Sequence, residues 1–265
     1  MSLPQANVTS FLDRRTLEHH VRSMYSGVAR DPRSTAHFPT GRRLALELGY
    51  PEALLDAVAP EALSSFAGVG YHLDLAELRQ GDRVLDLGSG SGTDAFGAAT
   101  MVGETGLVIG VDFTDAQLGR ATSVAARRGV RNVRFRQASI DDLPFENGSF
   151  DVVLSNGVVN LSPAKDRVFA EAARVLRTGG RLVLSDIVTD VPLKAATRRN
   201  TELWAACIAG AVPATTYFDE LVDAGFALTA RRPNHYRFVG ERAAAAAARY
   251  GAESLTLAAI RKGDT

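Results

Sequence analysis

The sequence predicts an α/β protein in which helices cover both faces of a largely parallel sheet. From Arg83 onward, short apolar runs rich in β-branched residues alternate with segments of helical periodicity. The connections between these runs are long enough for right-handed βαβ crossovers, which parallel strands require. Residues 1–80 differ, because they contain helical patterns and no convincing strand. We therefore expect residues 1–80 to form a helical cap that acts as a substrate lid. Residues 81–265 are expected to form the α/β core.

Four short helices and one loop are expected in the cap. Asp13 or Thr16 is placed to cap a first helix, which should run through Met24 and break at Tyr25-Ser26-Gly27. The two prolines and the polar residues of 29–40 predict a loop. Later helices are predicted over residues 41–48, 52–58 and 73–78.

Five apolar runs in the core have the length and composition of strands. They are residues 83–87, 107–112, 133–138, 150–155 and 181–185. Apolar residues at helical spacing from Val168 to Leu176 predict a helix between the last two. Helices are also predicted over 217–224 and over the alanine-rich stretch 241–250. Three tail segments, 226–231, 236–239 and 254–260, compete for two further strand places, and the residues do not choose between them.

A glycine-rich turn joins the first strand of the core to its first helix. Residues 83–93 are Arg-Val-Leu-Asp-Leu-Gly-Ser-Gly-Ser-Gly-Thr, so Gly88, Gly90 and Gly92 follow directly on the strand. Glycines let the backbone approach a ligand closely, and free N–H groups at a helix start bind polar or anionic groups. Alone this pattern is weak, since such turns also make plain connections. The second strand ends in Asp112, where an acid is placed to accept hydrogen bonds from ribose hydroxyls.

The spacing of these glycines separates two cofactor families. The nicotinamide fingerprint Gly-x-Gly-x-x-Gly requires glycine at position 93, which is Thr93, so an oxidoreductase is a disfavoured alternative. Asp-Leu-Gly-Ser-Gly-Ser-Gly instead resembles the first motif of the class I S-adenosylmethionine-dependent methyltransferases. That resemblance implies a Rossmann-like, doubly wound sheet of seven strands. It also implies S-adenosyl-L-methionine as cofactor and S-adenosyl-L-homocysteine as product.

The resemblance further implies where the cofactor binds, because ligands of open parallel sheets lie beyond the carboxyl ends of the strands. Ile140 and Asp141 follow the third strand, where relatives contact the adenine, although Asp141 would equally suit a helix N-cap. Ser155 and Asn156 end the fourth strand and should face the methionine part. The full set of expected cofactor residues is Tyr25, Asp86, Gly88, Ser89, Gly90, Gly92, Asp112, Phe113, Thr114, Gln117, Ser139, Ile140, Asp141, Ser155 and Asn156.

Four motifs resemble the arsenite methyltransferase branch over about residues 66–226: D-L-G-S-G-S-G, G-V-D-F-T-D-A-Q-L, S-N-G-V-V-N-L-S-P and L-W-A-A-C-I-A-G-A. Tyr25 lies where that branch has a tyrosine near the cofactor sulfonium. The branch holds trivalent arsenic with several cysteines, because this soft centre favours thiolates. Here Gly157 replaces the cysteine of the branch's Ser-Asn-Cys-Val, and Cys207 is the single thiol. The expected acceptor is therefore a small organic metabolite, methylated at oxygen, nitrogen or carbon.

Methyl transfer needs a base only when the accepting atom is protonated, and otherwise mainly needs the acceptor held in line with the methyl group. Arsenite methylation stays open as an alternative function, as does cofactor binding or cyclisation without methyl transfer. For each candidate catalytic residue, the alternative is a structural role in packing or in a surface hydrogen bond. The expected catalytic residues are His72, Tyr71 and Tyr217, with Asp186 and Cys207 as further candidates and Trp204 as a candidate substrate platform.

Charge and cysteine content argue against several partners. The 30 basic and 30 acidic residues balance, so no long-range field attracts nucleic acid or an anionic membrane. An arginine-rich stretch over residues 120–136 is expected to be a solvated face, with an RNA-binding patch as its alternative. No apolar run approaches the ~20 residues of a membrane span. We expect a cytoplasmic protein with a small-molecule acceptor and no metal, and the sequence does not indicate its oligomeric state.

Overall fold

The structure is a computed structural model that describes residues 14–30, 39–200, 203–204 and 207–263. The strands are β1 (Arg83–Leu87), β2 (Leu107–Asp112), β3 (Val133–Gln137), β4 (Phe150–Asn156), β5 (Leu176–Val188), β6 (Phe226–Pro233) and β7 (Glu253–Arg261). The helices are α1 (Arg14–Arg30), α2 (Gly41–Glu47), α3 (Glu52–Ala57), α4 (Pro60–Leu63), α5 (Thr93–Val102), α6 (Asp115–Arg128), α7 (Lys165–Val175), α8 (Ala195–Arg198), α9 (Ala214–Asp223) and α10 (Glu241–Tyr250).

Seven strands form one sheet in the order β3-β2-β1-β4-β5-β7-β6, which confirms the expected Rossmann-like α/β fold. The strands from β3 to β5 are parallel, and β7 runs antiparallel between β5 and β6. In the register, Leu87 lies opposite Val111 on one side and Ser155 on the other. The chain therefore leaves β1, β2 and β4 at the same edge of the sheet, where ligands of such sheets bind.

Two hydrophobic clusters cover the two faces of the sheet. Successive side chains of a strand point to opposite faces, so Val84 joins one cluster and Leu85 the other. The first cluster contains β1 and α5 side chains together with apolar residues of 44–76, from the expected cap. The second contains α7 and α9 residues, with Phe169 packed edge-to-face on Tyr217. The described cap segments after residue 39 therefore pack directly on one face of the sheet.

Two helix predictions in the cap are wrong. Helix α1 continues through Tyr25-Ser26-Gly27 to Arg30, because Val21 and Val28 are buried and this packing outweighs the cost of about 1 kcal/mol for a helical glycine. Residues 73–77 form a turn instead, with bonds such as Ala76 N–H to Leu73 O (3.3 Å), and Glu77 has a φ of 46°. Most of the loop predicted over 29–40, and the predicted cap residue Asp13, lie outside the described residues.

The competition among the tail segments is decided by pairing. Residues 226–233 and 253–261 form β6 and β7, which pair with each other. Residues 236–239 form no strand. Within the described part of the chain, no helix is both long enough and apolar enough to cross a membrane.

Candidate functional site

The glycine-rich loop after β1 lies at the bottom of a cleft at the carboxyl edge of the sheet. Gly88 has a φ of 66°, and a Cβ atom there would lie 2.5 Å from a methyl group of Val158. Gly90 also has a positive φ of 54°, but a Cβ there would meet nothing within 4 Å. Glycine is therefore needed at Gly88 for close packing, whereas Gly90 borders open space that a ligand can enter.

Asp112 anchors this loop to the end of β2. Its Oδ2 accepts a hydrogen bond from the Gly90 N–H (3.0 Å), and its Oδ1 accepts one from the Thr114 N–H (2.8 Å). Burial raises the pKa of Asp112, while these backbone donors lower it. The carboxylate thus fixes the loop on one side and faces the cleft on the other.

Two further buried carboxylates line the same part of the cleft. Asp86 is 2% exposed, and its Oδ2 has no hydrogen-bond partner among the described residues. Burial, followed by the nearby charges of Asp94 and Asp112, raises its pKa well above the ordinary value. Asp94, in the first turn of α5, accepts hydrogen bonds from Tyr50 Oη (2.5 Å) and Asn156 Nδ2 (3.1 Å). An unpartnered carboxylate among others suits a ligand that brings positive charge and N–H donors.

Gln117 links three elements around the cleft. Its Oε1 accepts hydrogen bonds from the hydroxyls of Ser91, in the glycine loop, and Ser65, in the cap (3.5 Å for Ser65). Its Nε2 donates to the backbone oxygen of Tyr25 on α1 (3.4 Å). One amide side chain on α6 therefore fixes the glycine loop relative to the two cap segments that border the cleft.

A second compartment continues the cleft past the ends of β2 and β3. It is lined by Ser139, Ile140 and Asp141 on one side and by Arg22 of α1 on the other. The guanidinium of Arg22 lies 5.3 Å from the centroid of the Phe113 ring. Both compartments share the lining residues Gly88, Asp112, Phe113, Val158 and Leu161, so they form one continuous cleft.

The expected cofactor residues were drawn from five separate segments, and the structure brings almost all of them to this cleft. Of the fifteen, Gly92 and Ser155 do not line either compartment, and the other thirteen do. A Cβ at Gly92 would lie 2.7 Å from the Phe135 ring, so this glycine permits packing under the loop. The Ser155 hydroxyl is buried and has no hydrogen-bond partner among the described residues.

The sequence profile of the family described as "Methyltransferase domain" matches residues 78–238, which is more than half of the chain and includes most of the cleft. The chain belongs to the methyltransferase-domain family. Two curated arsenite methyltransferases are similar to it. That of Halobacterium salinarum is 42% identical over 68% of this chain and 46% of its own length. That of Aquipseudomonas alcaligenes is 44% identical over 60% of this chain and 47% of its own length.

A solved structure supports the same placement within the methyltransferase-domain family. It is the arsenic(III) S-adenosylmethionine methyltransferase CrArsM of Chlamydomonas reinhardtii, with a TM-score of 0.68 and 34% identity. The match covers 80% of this chain and 73% of that one. The expected resemblance to class I S-adenosylmethionine-dependent methyltransferases near the arsenite branch is confirmed. The chain spans about half the length of the curated relatives it matches.

Asn156 is in the cleft of this methyltransferase-domain protein, but its amide is already used. Its Oδ1 accepts from the Val69 N–H (2.8 Å), and its Nδ2 donates to the Gly70 oxygen (3.0 Å) as well as to Asp94. A Cβ at Gly68 would lie 2.5 Å from Asn156 Nδ2. Asn156 thus joins the end of β4 to the cap segment that leads into β1.

The three expected catalytic residues are outside both compartments. His72 is fully buried, neither ring nitrogen has a partner among the described residues, and burial lowers its pKa. Tyr71 packs against Tyr50 with the ring centroids 4.6 Å apart. Tyr217 is fully buried and donates from Oη to Asp186 Oδ2 (3.2 Å). Catalytic roles for these residues stay predictions.

Cys207 and Trp204 follow β5 in the chain and lie beyond the cleft wall. The thiol of Cys207 donates to the Gly157 oxygen (3.1 Å), and its pKa is raised, mainly by burial and also by Asp186. A side-chain hydrogen bond from Tyr25 opposes that rise. Trp204 is buried and donates from Nε1 to the Arg198 oxygen (2.7 Å). Among the described residues, no group of three or more metal-ligating side chains is placed to hold an ion.

Several lining residues were missed by sequence reasoning. Asp94 follows the glycines by two positions, and its place in the first helical turn is a signal that was available. Ser65 and Arg22 come from the cap, where no motif marks them. Val158 and Leu161 are ordinary apolar residues, and only the fold shows that they wall both compartments.

Proposed function

We propose that this protein is an S-adenosylmethionine-dependent methyltransferase that acts on a small organic metabolite at oxygen, nitrogen or carbon. Family membership supports the reaction, and the carboxylate-lined cleft supports the cofactor. When bound, this cofactor supplies a methyl group that is activated by the positive charge on sulfur. The chain's own task is then to bind the cofactor, orient the acceptor and exclude water.

The residues present fit this cofactor. Asp86 offers an unpartnered buried carboxylate oxygen to a positively charged group with N–H donors, which the methionine part would provide. Asp112 faces the cleft after β2, where ribose hydroxyls would donate to it. Ile140 and Asp141 line the second compartment, where the adenine ring would bind. Open space beside Gly90 gives the ligand room to contact the loop.

The observation that supports an organic acceptor is that Cys207 is buried and hydrogen-bonded. Trivalent arsenic is held by several thiolates in the arsenite branch, whereas this sequence contains one cysteine. That thiol is buried, donates to the Gly157 oxygen and has a raised pKa, so its thiolate is disfavoured at neutral pH. One protonated thiol does not provide an arsenic site, and an acceptor that needs no thiolate fits better.

Arsenite methylation is the second candidate, and two observations favour it. The curated relatives at 42% and 44% identity are arsenite methyltransferases. In addition, the Cys207 sulfur lies 3.9 Å from the position that a Cβ would take at Gly157, where the branch has a second cysteine. The sole cysteine is therefore close to the place where its missing partner would be.

The test measures S-adenosylhomocysteine formation by the purified protein, by mass spectrometry, with a panel of phenols, amines and carbon acids and separately with arsenite plus a soluble thiol. Methylated organic product without methylated arsenic supports the proposal. Methylated arsenic at a comparable rate would replace it with the second candidate. Tight cofactor binding without product in either arm would support a role that does not transfer methyl.

A further inference from the structure

One short turn forms part of the wall of both compartments. The 3₁₀ turn Val159–Leu161 follows β4, and both its last residue, Leu161, and the residue just before it, Val158, line both compartments. Its own backbone bonds are few, from the Leu161 N–H to the Val158 oxygen (2.9 Å) and from the Ser162 N–H to the Val159 oxygen (3.0 Å). Since 3₁₀ turns have poor internal hydrogen-bond geometry, contacts from other elements must fix its position.

Asp186, on β5, supplies the central contact. Its Oδ2 accepts hydrogen bonds from the Asn160 N–H (3.0 Å) and from Tyr217 Oη (3.2 Å), and its Oδ1 accepts from the Ile187 N–H (2.9 Å). The side chain is 1% exposed and does not line the cleft. We propose that Asp186 is a positioning residue, which holds the turn Val159–Leu161 against the cleft while Tyr217 holds its carboxylate.

The side chain of Asn160 extends this anchor in two directions. Its Nδ2 donates to the Ile187 oxygen (2.5 Å) and to the Cys207 oxygen (3.4 Å). Asn160 is fully buried, so these bonds form away from water. The turn is therefore tied to β5 and to the segment that carries the single thiol.

A buried lysine holds the chain just after the turn. Lys165, at the start of α7, donates from Nζ to the Ser162 oxygen (3.4 Å). Burial lowers its pKa to about 8, and the charges of Asp186 and Glu220 oppose that change. Burial likewise raises the pKa of Asp186 to about 6, while its three donors and Lys165 oppose that change. Burial therefore disfavours the charged form of each group, and the charge of each group favours the charged form of the other.

The arrangement assigns Tyr217 a different role from the one that the sequence suggested. Its hydroxyl is committed to Asp186, and its pKa is raised well above the ordinary value by burial and by that carboxylate. It also packs on Phe169, with the ring centroids 5.3 Å apart. Tyr217 thus supports a positioning residue and does not touch the cleft.

This inference rests on the proposed function only for the identity of the ligand, so its first test uses the free protein. Amide hydrogen exchange is measured by NMR for Asn160 and its neighbours in wild type, Asp186→Asn and Tyr217→Phe. We expect exchange at Asn160 to be at least about tenfold faster in Asp186→Asn and about threefold faster in Tyr217→Phe. Matched controls are Asp151→Asn and Tyr250→Phe, whose polar groups bond to Arg83 and Thr197 outside the lining of the cleft.

Unchanged exchange at Asn160 in folded Asp186→Asn would overturn the inference, whether or not the protein transfers methyl. Should Asp186→Asn fail to fold, Tyr217→Phe decides by the same readout, because it removes one donor and leaves the carboxylate. The second test is calorimetric titration with S-adenosylhomocysteine, where we expect a fivefold to tenfold weaker affinity in Asp186→Asn and wild-type affinity in both controls. Absence of binding to wild type would contradict the proposed function and leave the exchange result to decide this inference.

Discussion

The two sides of the cleft are built in different ways. At the ends of β1 and β2, the anchoring bonds join residues that belong to a recognisable motif, such as Asp112 to Gly90 and to Thr114 two residues later. On the side of β4 and β5, the anchors join residues that no motif connects, such as Asp186 to Asn160 and to Tyr217. The first side therefore shows which cofactor class to expect, whereas the second side is held in place by tertiary contacts alone.

The largest effect on stability is expected in the glycine-rich loop, on the side of the cleft formed by β1 and β2. Gly88→Ala should lower the free energy of unfolding by about 3 kcal/mol, because it combines a left-handed φ with a Cβ that lies 2.5 Å from Val158. Gly90→Ala should cost only about 1 kcal/mol, because φ is equally positive but the space is open. Urea denaturation measures both values.

The same two variants distinguish an effect on stability from an effect on ligand binding. Since Gly90 borders the cleft, the added methyl group should weaken S-adenosylhomocysteine binding more than it weakens folding. Equal losses of stability in Gly88→Ala and Gly90→Ala would contradict this comparison, because Val158 would then not pack closely against Gly88.

The second prediction concerns pH and tests the β5 side. Asp186 has a folded pKa of about 6, above its ordinary value, so the folded state holds its proton more tightly than the unfolded state. The stability of wild type relative to Asp186→Asn should therefore fall as pH rises from about 4 to about 6, by about 3 kcal/mol. Chemical denaturation at a series of pH values checks this.

Asp151 provides a control whose contribution to stability should change with pH in the opposite direction. Hydrogen bonds from Arg177 and the Arg83 N–H lower its pKa although burial opposes them. The stability that it contributes should be present above the ordinary carboxylate pKa and lost as pH falls, so the difference from Asp151→Asn should shrink in acid. Parallel curves for the two variants would show that burial does not raise the pKa of Asp186.

Sequence predicted the first side of the cleft better than the second, for a physical reason. Glycine spacing, strand ends and the acid at Asp112 are local features that one pass along the chain detects. Asp94, just after β1, and Asn156, at the end of β4, lie 62 residues apart and meet only when β1 and β4 pair in the sheet. The sequence predicts that helix α1 ends at Met24, because the contacts that Tyr25 and Val28 make with distant segments are not visible in it. Periodicity also placed the strands but did not say which tail segment would pair with β5.

The third prediction concerns Asp112, on the side of the cleft formed by the ends of β1 and β2. Asp112→Ala should weaken S-adenosylmethionine binding by about 1 to 3 kcal/mol, because the ribose would lose charge-assisted hydrogen bonds. The Gly90 and Thr114 N–H groups would also lose their acceptor, which moves the effect toward the upper end. The matched control is Asp115→Ala, which removes an exposed carboxylate that bonds Gln137 and does not line the cleft. Equal calorimetric affinity in Asp112→Ala and wild type would show that the ribose does not bind there.

The smallest expected effect tests whether the thiol takes part in chemistry on the β5 side. Cys207→Ser keeps a donor for the Gly157 oxygen and nearly the same volume, so methylation of an organic acceptor should stay within about threefold of wild type. Cys207→Ala removes that donor and reports what the hydrogen bond alone contributes, which should be about 1 kcal/mol of stability. Loss of turnover in folded Cys207→Ser, with normal turnover in Cys207→Ala, would indicate that the serine hydroxyl disturbs the wall. Loss of turnover in both folded variants would make the thiol part of the reaction.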